Sequence, residues 1–273
     1  MRKMCCFICV ITCAIMFIPC FAHAGISIEG GLTHEKASMA GDTYQGEIAI
    51  RNQEDTPQEL KIYQSDYRFD YEGETIYGEP GKDARSNARW ISFSPSRLTI
   101  PPKEKATISY TITVPGDQPL VGTFWSMLMI EGLPIGSPES EGAQKDKKLS
   151  LGITQIMRYA VQIVSHIGDT GTRKIKFLQT RILKEKDARI LQVDVENEGE
   201  RLLRPLMWTE LFSPDGTSLG RFQGEQYRVY PNTSKRFRID VSKVPAGTYK
   251  ALVVADCGEN DLIGIQYTLK FEN

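Results

Sequence analysis

The chain has 273 residues, 41% hydrophobic and 25% charged, and its 33 basic and 34 acidic side chains leave a formal net charge of −1. This is the balance of an ordinary folded chain. It excludes a disordered, collagen-like or disulfide-dense chain, and the lack of a basic excess leaves no footprint for nucleic acid. At roughly 100–200 residues per domain, the length predicts about two domains.

The first 24 residues stand apart from the rest. Arg2 and Lys3 precede an uncharged apolar run from Met4 to Ala22, and Ala22-His23-Ala24 then forms a small-residue cleavage site before Gly25. This is the pattern of a secretory signal peptide cleaved after Ala24. An uncleaved membrane anchor is the rival reading. Lipid attachment at Cys20 is disfavoured by the preceding Pro19, where a small residue is expected. Five cysteines (Cys5, Cys6, Cys9, Cys13, Cys20) leave with the segment, so Cys257 is the one thiol of the mature chain and no intrachain disulfide is expected. The protein must then be held by its hydrophobic cores. No later apolar run is long enough to span a membrane, and an exported, periplasmic location is expected, with the cell surface as the alternative.

From Gly25 onwards, short apolar runs are separated by turn residues. Ile26 to Ile28 and Ala37 to Ala40 read as edge segments. Tyr44 to Ile50 alternates with period two and ends at Asn52, and Leu60 to Tyr63 alternates again towards Phe69. Trp90 to Phe93 is closed by Pro95, Ala106 to Val114 by Pro115-Gly116, and Phe124 to Ile130 is apolar almost throughout, as a strand buried on both faces would be. Residues 134–148 form a polar loop, followed by a long strand from Leu149 to about Val164 and a hinge at Gly168-Asp169-Thr170-Gly171. Ile190 to Val195, Leu206 to Phe212, Phe237 to Val241, Thr248 to Val254 and Ile263 to Phe271 then repeat the style. Short strands at this spacing, with Gly and Pro at the joints, predict an all-β chain of two immunoglobulin-like β-sandwich domains in tandem, over 25–167 and 168–273.

The chemical inventory is thin. His34 and His166 are far apart in sequence and read as partly exposed side chains rather than members of a catalytic triad or zinc site. Cys257 reads as a packed thiol. Asp194 and Glu196 share one face of a strand, and such pairs are mostly solvated. No P-loop, nucleophile elbow or metalloprotease motif is present, so no enzyme activity, cofactor or metal is expected.

The strand after the loop is the informative element. Leu149, Leu151, Ile153, Gln155, Met157, Tyr159, Val161 and Ile163 share one face. Strands usually run 3–10 residues, so this one is too long for a small sandwich to bury along its whole length. Its first part projects as a free edge, which would be a template for another chain, or it is fully paired inside the first domain.

The segment Gly122-Thr123-Phe124-Trp125-Ser126-Met127-Leu128-Met129-Ile130-Glu131-Gly132-Leu133-Pro134, followed by a loop and Leu149 to Arg158, resembles the last two strands of the first domain in periplasmic pilus chaperones of the PapD-like superfamily. In that family the last strand donates alternating apolar side chains to a pilus subunit lacking its own final strand. The resemblance implies that Leu149, Leu151 and Ile153 are donors, with Met157 continuing their row. A basic residue of that strand lies in the family's interdomain cleft and grips the subunit's C-terminal carboxylate. Gapless counting puts Arg158 there; the alternative is that Arg158 pairs with an acidic neighbour at the domain junction. The family's early Thr-Arg pair is replaced by Thr33-His34-Glu35-Lys36, with Lys36 as a weak stand-in. A competing resemblance covers 38–132: Ala40-Gly41-Asp42-Thr43-Tyr44-Gln45-Gly46, Ile50-Arg51-Asn52, Ser65-Asp66-Tyr67 and Ala88 to Pro95 are similar to the first domain of WxL-interacting surface proteins.

Two functions follow. One is a chaperone-like protein that binds a secreted subunit with an exposed sheet edge by strand donation from 149–157. It uses Leu149, Leu151, Ile153, Met157, Arg158 and Lys36. The alternative is a structural or adhesive surface module that binds cell wall or host protein. A free edge of this kind would also allow homodimers by edge pairing.

Overall fold

The structure is a computed structural model that describes residues 25–134, 156–186, 188–258 and 261–272. Two β-sandwiches follow one another. The first has a four-stranded sheet of order β1-β3-β8-β6 facing a six-stranded sheet of order β2-β10-β9-β4-β5, in which β7 also pairs with β4. Its strands are β1 (Ile26–Glu29), β2 (Thr33–Ser38), β3 (Thr43–Asn52), β4 (Gln58–Phe69), β5 (Thr75–Gly78), β6 (Ile91–Ser94), β7 (Arg97–Ile100), β8 (Lys105–Thr113), β9 (Gly122–Leu133) and β10 (Arg158–Ile167). The second sandwich packs β11-β12-β15 against β14-β13-β16-β17. Its strands are β11 (Ile175–Glu185), β12 (Ala188–Asn197), β13 (Leu206–Phe212), β14 (Ser218–Gln226), β15 (Ser234–Asp240), β16 (Gly247–Asp256) and β17 (Leu262–Phe271).

The period-two rows form the cores. In the first domain Ile48, Ile50, Ile108 and Ile112 of one sheet meet Leu60, Leu128, Ile130, Val161 and Ile163 of the other. In the second, Leu191, Val193 and Val195 meet Met207, Leu211, Ala251 and Val253. Alternating side chains from two facing sheets produce this layer. Strand β9 is buried on both faces from Gly122 to Ile130. Its even-numbered row enters the first core, while Trp125 of the odd row packs with Val164, Leu202 and Tyr230 at the domain junction.

Each domain ends an early strand on a buried asparagine that organises the next turn. The Asn52 amide donates to the carbonyls of Thr56, Ile100 and Pro101 at 2.8, 3.0 and 3.0 Å. The Asn197 amide donates to the Arg201 and Val229 carbonyls, both at 2.8 Å, and its oxygen accepts from Gly199 N–H at 2.9 Å. An amide serves here because it satisfies donors and acceptors of a loop that water cannot reach.

Strands β5, β7, β11 and β14 are additions to the sequence reading. They are short or polar edge strands whose pairing partners, not their own patterns, define them. The proposed loop 134–148 (Pro134 apart) and Leu149, Leu151 and Ile153 of the donor row lie outside the described residues. The strand expected to end near Val164 continues to Ile167. Among the described residues, no helix is long and apolar enough to cross a membrane.

Candidate partner-binding edge and interdomain groove

Strand β10 has unequal neighbours. On one side β9 pairs antiparallel with it along its whole length, from Arg158↔Glu131 to Ile167↔Gly122. On the other side β2 runs parallel and covers only Gln162 to Ile167, starting at Gln162↔Thr33. Among the described residues, the backbone edge of 158–161 on the β2 side is unpaired. The reason lies in the path of the first strands. Residues 26–29 pair with β3 in the facing sheet, the chain then crosses over, and it joins β10 only at Thr33. The open segment is anchored from within, because the Tyr159 hydroxyl donates to the Ile26 carbonyl at 2.7 Å.

The predicted residues sit as follows. Met157 is half-buried just before β10, and its carbonyl accepts from Gly132 N–H at 3.1 Å. Arg158 begins β10, and its Nε donates to the Glu131 carboxylate at 2.9 Å. The Tyr63 hydroxyl donates to the same carboxylate oxygen at 2.8 Å. Arg158 shares a face with Gln162, Val164 and His166, but at about 3.3 Å per residue it stands roughly 13 Å along the strand from Gln162, which Tyr230 of the second domain contacts. Counting along the sequence cannot see where that domain lands, so Arg158 is not in the interdomain groove. Lys36 is not there either. It lies on the opposite face of β2 from Glu35, with Nζ 4.6 Å from the Tyr44 ring centroid.

The groove is built from other residues. Glu35 of β2 is gripped by Arg228 at 2.9 Å, by Arg204, and by His166 at 3.6 Å. Arg204 and Arg228 belong to the second domain, so one carboxylate ties the domains together. The contact with His166 and the charges of Arg204 and Arg228 bring the Glu35 carboxyl down to about 2, well below the usual range. Below Glu35 the junction is aromatic. The Trp125 and Tyr230 ring centroids are 4.7 Å apart, Trp125 Nε1–H donates to the Tyr67 carbonyl at 2.8 Å, and the Tyr230 hydroxyl donates to Gln162 at 2.6 Å. One recess of about 300 Å³ is lined by Thr33, Tyr67, Phe69, Gln162, Tyr230 and Lys235. A second, of about 690 Å³, is lined by His166, Asp169, Arg173, Arg201, Arg204 and Cys257, among others. The basic character expected near Arg158 is therefore found in the groove on Arg201, Arg204, Arg228 and Lys235. Glu35 was visible in the sequence within Thr33-His34-Glu35-Lys36, but nothing in the pattern marked it as the member that faces the second domain.

Glu35 sets a pH dependence. Its carboxyl falls from an ordinary 4.5 to about 2 on folding. The resulting stability is present above pH 4.5 and is lost as pH falls towards 2. With partial solvent screening it amounts to about 2–3 kcal/mol. Glu35→Gln is expected to cost that amount at pH 7 and to flatten the acid limb of urea-unfolding free energy between about pH 4.5 and 2. An unchanged acid limb would show that the carboxylate contributes nothing to the junction.

The histidines are partly exposed, as expected, and each is also hydrogen-bonded. His34 Nδ1 lies 2.7 Å from the Tyr110 hydroxyl, and His166 Nδ1 lies 2.9 Å from Thr123 Oγ1. They are distant in sequence but occupy neighbouring strands, because β2 and β10 pair. One expectation is corrected: Asp194 is not solvated. It is fully buried, and both its oxygens accept from Arg236 at 2.8 Å. Burial pushes the Cys257 thiol up to about 11, which keeps it protonated and unreactive at neutral pH. Among the described residues, no three His, Cys, Asp or Glu side chains are grouped to hold a metal ion.

No family model matches the chain, and no curated protein does. Solved structures do match. The YadV chaperone aligns at 13% identity over 90% of this chain and 100% of its own, with a TM-score of 0.43. The class 5 fimbriae chaperone CfaA aligns at 13% identity over 91% of this chain and 100% of its own, with a TM-score of 0.45. The CsuC–CsuE chaperone–tip adhesion subunit pre-assembly complex from archaic Csu pili of Acinetobacter baumannii aligns at 15% identity over 88% of this chain and 98% of that chain, with a TM-score of 0.47. The chain is similar to pilus chaperones of known structure.

Proposed function

We propose that the protein is an exported, periplasmic, chaperone-like protein that binds a secreted protein subunit by adding a strand to that subunit's exposed sheet edge. The observation that carries this reading is the edge of 158–161, unpaired among the described residues, where β10 runs past the end of β2. The interior row of β10, namely Tyr159, Val161 and Ile163, continues in the sequence as Met157, Gln155, Ile153, Leu151 and Leu149. An added strand needs both an open backbone edge and alternate side chains for its pockets. Leu149, Leu151 and Ile153 are the proposed donors, Met157 the last of their row, and Arg158 a rim residue already steadied by Glu131. Lys36 supports β2 from its stacked position on Tyr44.

Each buried donor contributes about 1.5–3 kcal/mol, so losing two removes roughly 3–6 kcal/mol, a factor of about 10²–10⁴ in affinity. The test compares wild type with a Leu151→Glu, Ile153→Glu variant in capturing a subunit from periplasmic extract, with hydrogen exchange of 149–161 followed in the complex. Wild-type capture with new protection of that segment, abolished in a variant of unchanged unfolding midpoint, is the expected result. A partner retained by the variant, or bound without protection of 149–161, would overturn strand donation.

A further inference from the structure

We propose that the outer edge of β17 pairs with β17 of a second copy, antiparallel about a two-fold axis through Gln266, so that the protein dimerises through its second domain. This edge is separate from β10, and the inference does not rest on strand donation.

Strand β17 ends the sheet β14-β13-β16-β17. It pairs with β16 without a break in register, from Gly247↔Phe271 to Asp256↔Leu262. Its opposite edge meets no hydrogen bond from any described residue. A long, regular, unpaired edge invites another chain, and folded proteins normally guard such edges with charge, proline, bulges or brevity.

The other edge strands among the described residues carry those guards, and β15, which ends the three-stranded sheet, carries Lys235, Arg236, Arg238 and Asp240. Strands β1, β5, β6 and β7 have four residues each. Strand β2 carries His34, Glu35 and Lys36. Strand β11 has a register break between Phe177 and Gln179 and carries Lys176, Arg181, Lys184 and Glu185. Strand β14 pairs through two register breaks and carries Arg221 and Glu225. Strand β17 reads LIGIQYTLKF, with no proline. Its single charge, Lys270, is joined to Glu272 at 3.0 Å.

The strand is also complementary to itself. About Gln266, Ile263 faces Leu269 of the second copy and Ile265 faces Tyr267. This row already packs on the second core, so pairing joins the two cores. On the outer face Leu262 meets Lys270, Gly264 meets Thr268, and Gln266 meets its own copy. No like charges are opposed. Apolar and aromatic cross-strand pairs favour the contact, and a two-fold axis closes it at two copies. Pairing also approaches Leu262, which is 61% exposed in the single chain.

Sedimentation equilibrium of the purified chain tests this. Wild type is expected to dimerise at about 100 µM or below. Leu262→Lys, Gln266→Lys would set ammonium groups opposite one another at three places on exposed positions and weaken association about tenfold or more. Its urea midpoint should be unchanged. Mixing Gln266→Lys with Gln266→Glu should restore dimers, because position 266 meets only its own copy, and Leu151→Glu, Ile153→Glu should remain dimeric. A wild type monomeric at about 200 µM, or a dimer indifferent to the lysine pair, would overturn the proposal.

Discussion

Arg236→Ala is expected to lower the free energy of unfolding by about 3–5 kcal/mol, as measured by urea unfolding followed by circular dichroism. Asp194 is fully buried in the centre of β12, and Arg236 on the neighbouring β15 supplies two of its hydrogen bonds at 2.8 Å. Among the described residues, the remaining donor is the Gln192 amide at 3.0 Å. Removing the guanidinium strands a carboxylate in a place water does not reach. The reverse deletion is milder. Arg236 is 29% exposed, so in Asp194→Ala the guanidinium can turn to solvent, and about 1–3 kcal/mol is expected. The order of the two costs is the decisive result. Equal costs, or a larger one for Asp194→Ala, would show that the carboxylate is better solvated than its burial indicates.

Gly122→Ala is expected to cost about 3 kcal/mol or more and to change the relative orientation of the domains, readable as a shift in small-angle scattering. Gly122 has φ +81°, and a Cβ there would lie 2.1 Å from the Glu200 carbonyl oxygen. Opposite it, Gly171 has φ +94°, and its Cβ would lie 2.7 Å from the Gly122 Cα. The contact is this close because the start of β9 is stitched to the second domain. Thr123 N–H donates to the Glu200 carbonyl, and Leu202 N–H donates to Thr123 Oγ1, both at 2.9 Å. The obstacle is backbone, so alanine should be nearly as damaging as valine. A Gly122→Ala cost below about 1 kcal/mol would mean that the junction yields easily.

Much of the fold was legible because the buried strands carry their pairing in their own sequence. Tyr44 to Ile50, Ala106 to Val114 and Ile190 to Val195 alternate, and they form the central strands β3, β8 and β12. Strand β14 has no such row, since most of SLGRFQGEQ is exposed. Strand β11 has its alternation inverted by the irregularity after Phe177. The site was legible only where it depends on one strand. The row through Tyr159, Val161 and Ile163 followed from period two. The groove did not, because it is made by Glu35, Arg204 and Arg228 from separate parts of the chain. Arg158 and Lys36 were chosen by charge and position, and charge alone does not tell which face of a strand a second domain will cover.

The parallel pairing of β2 with β10 also fixes an order of events. Thr33 meets Gln162, a partner about 130 residues later in the chain. A polypeptide that emerges N-terminus first can join β1 to β3 early, but β2 must wait until most of the first domain has appeared. Contacts so far apart in sequence form late and slowly. The first sandwich is thus closed by its last strand, and until then the β9 edge that receives β10 stays open to competing chains. Its vulnerable period is set by the rate of emergence rather than by the stability of the finished domain.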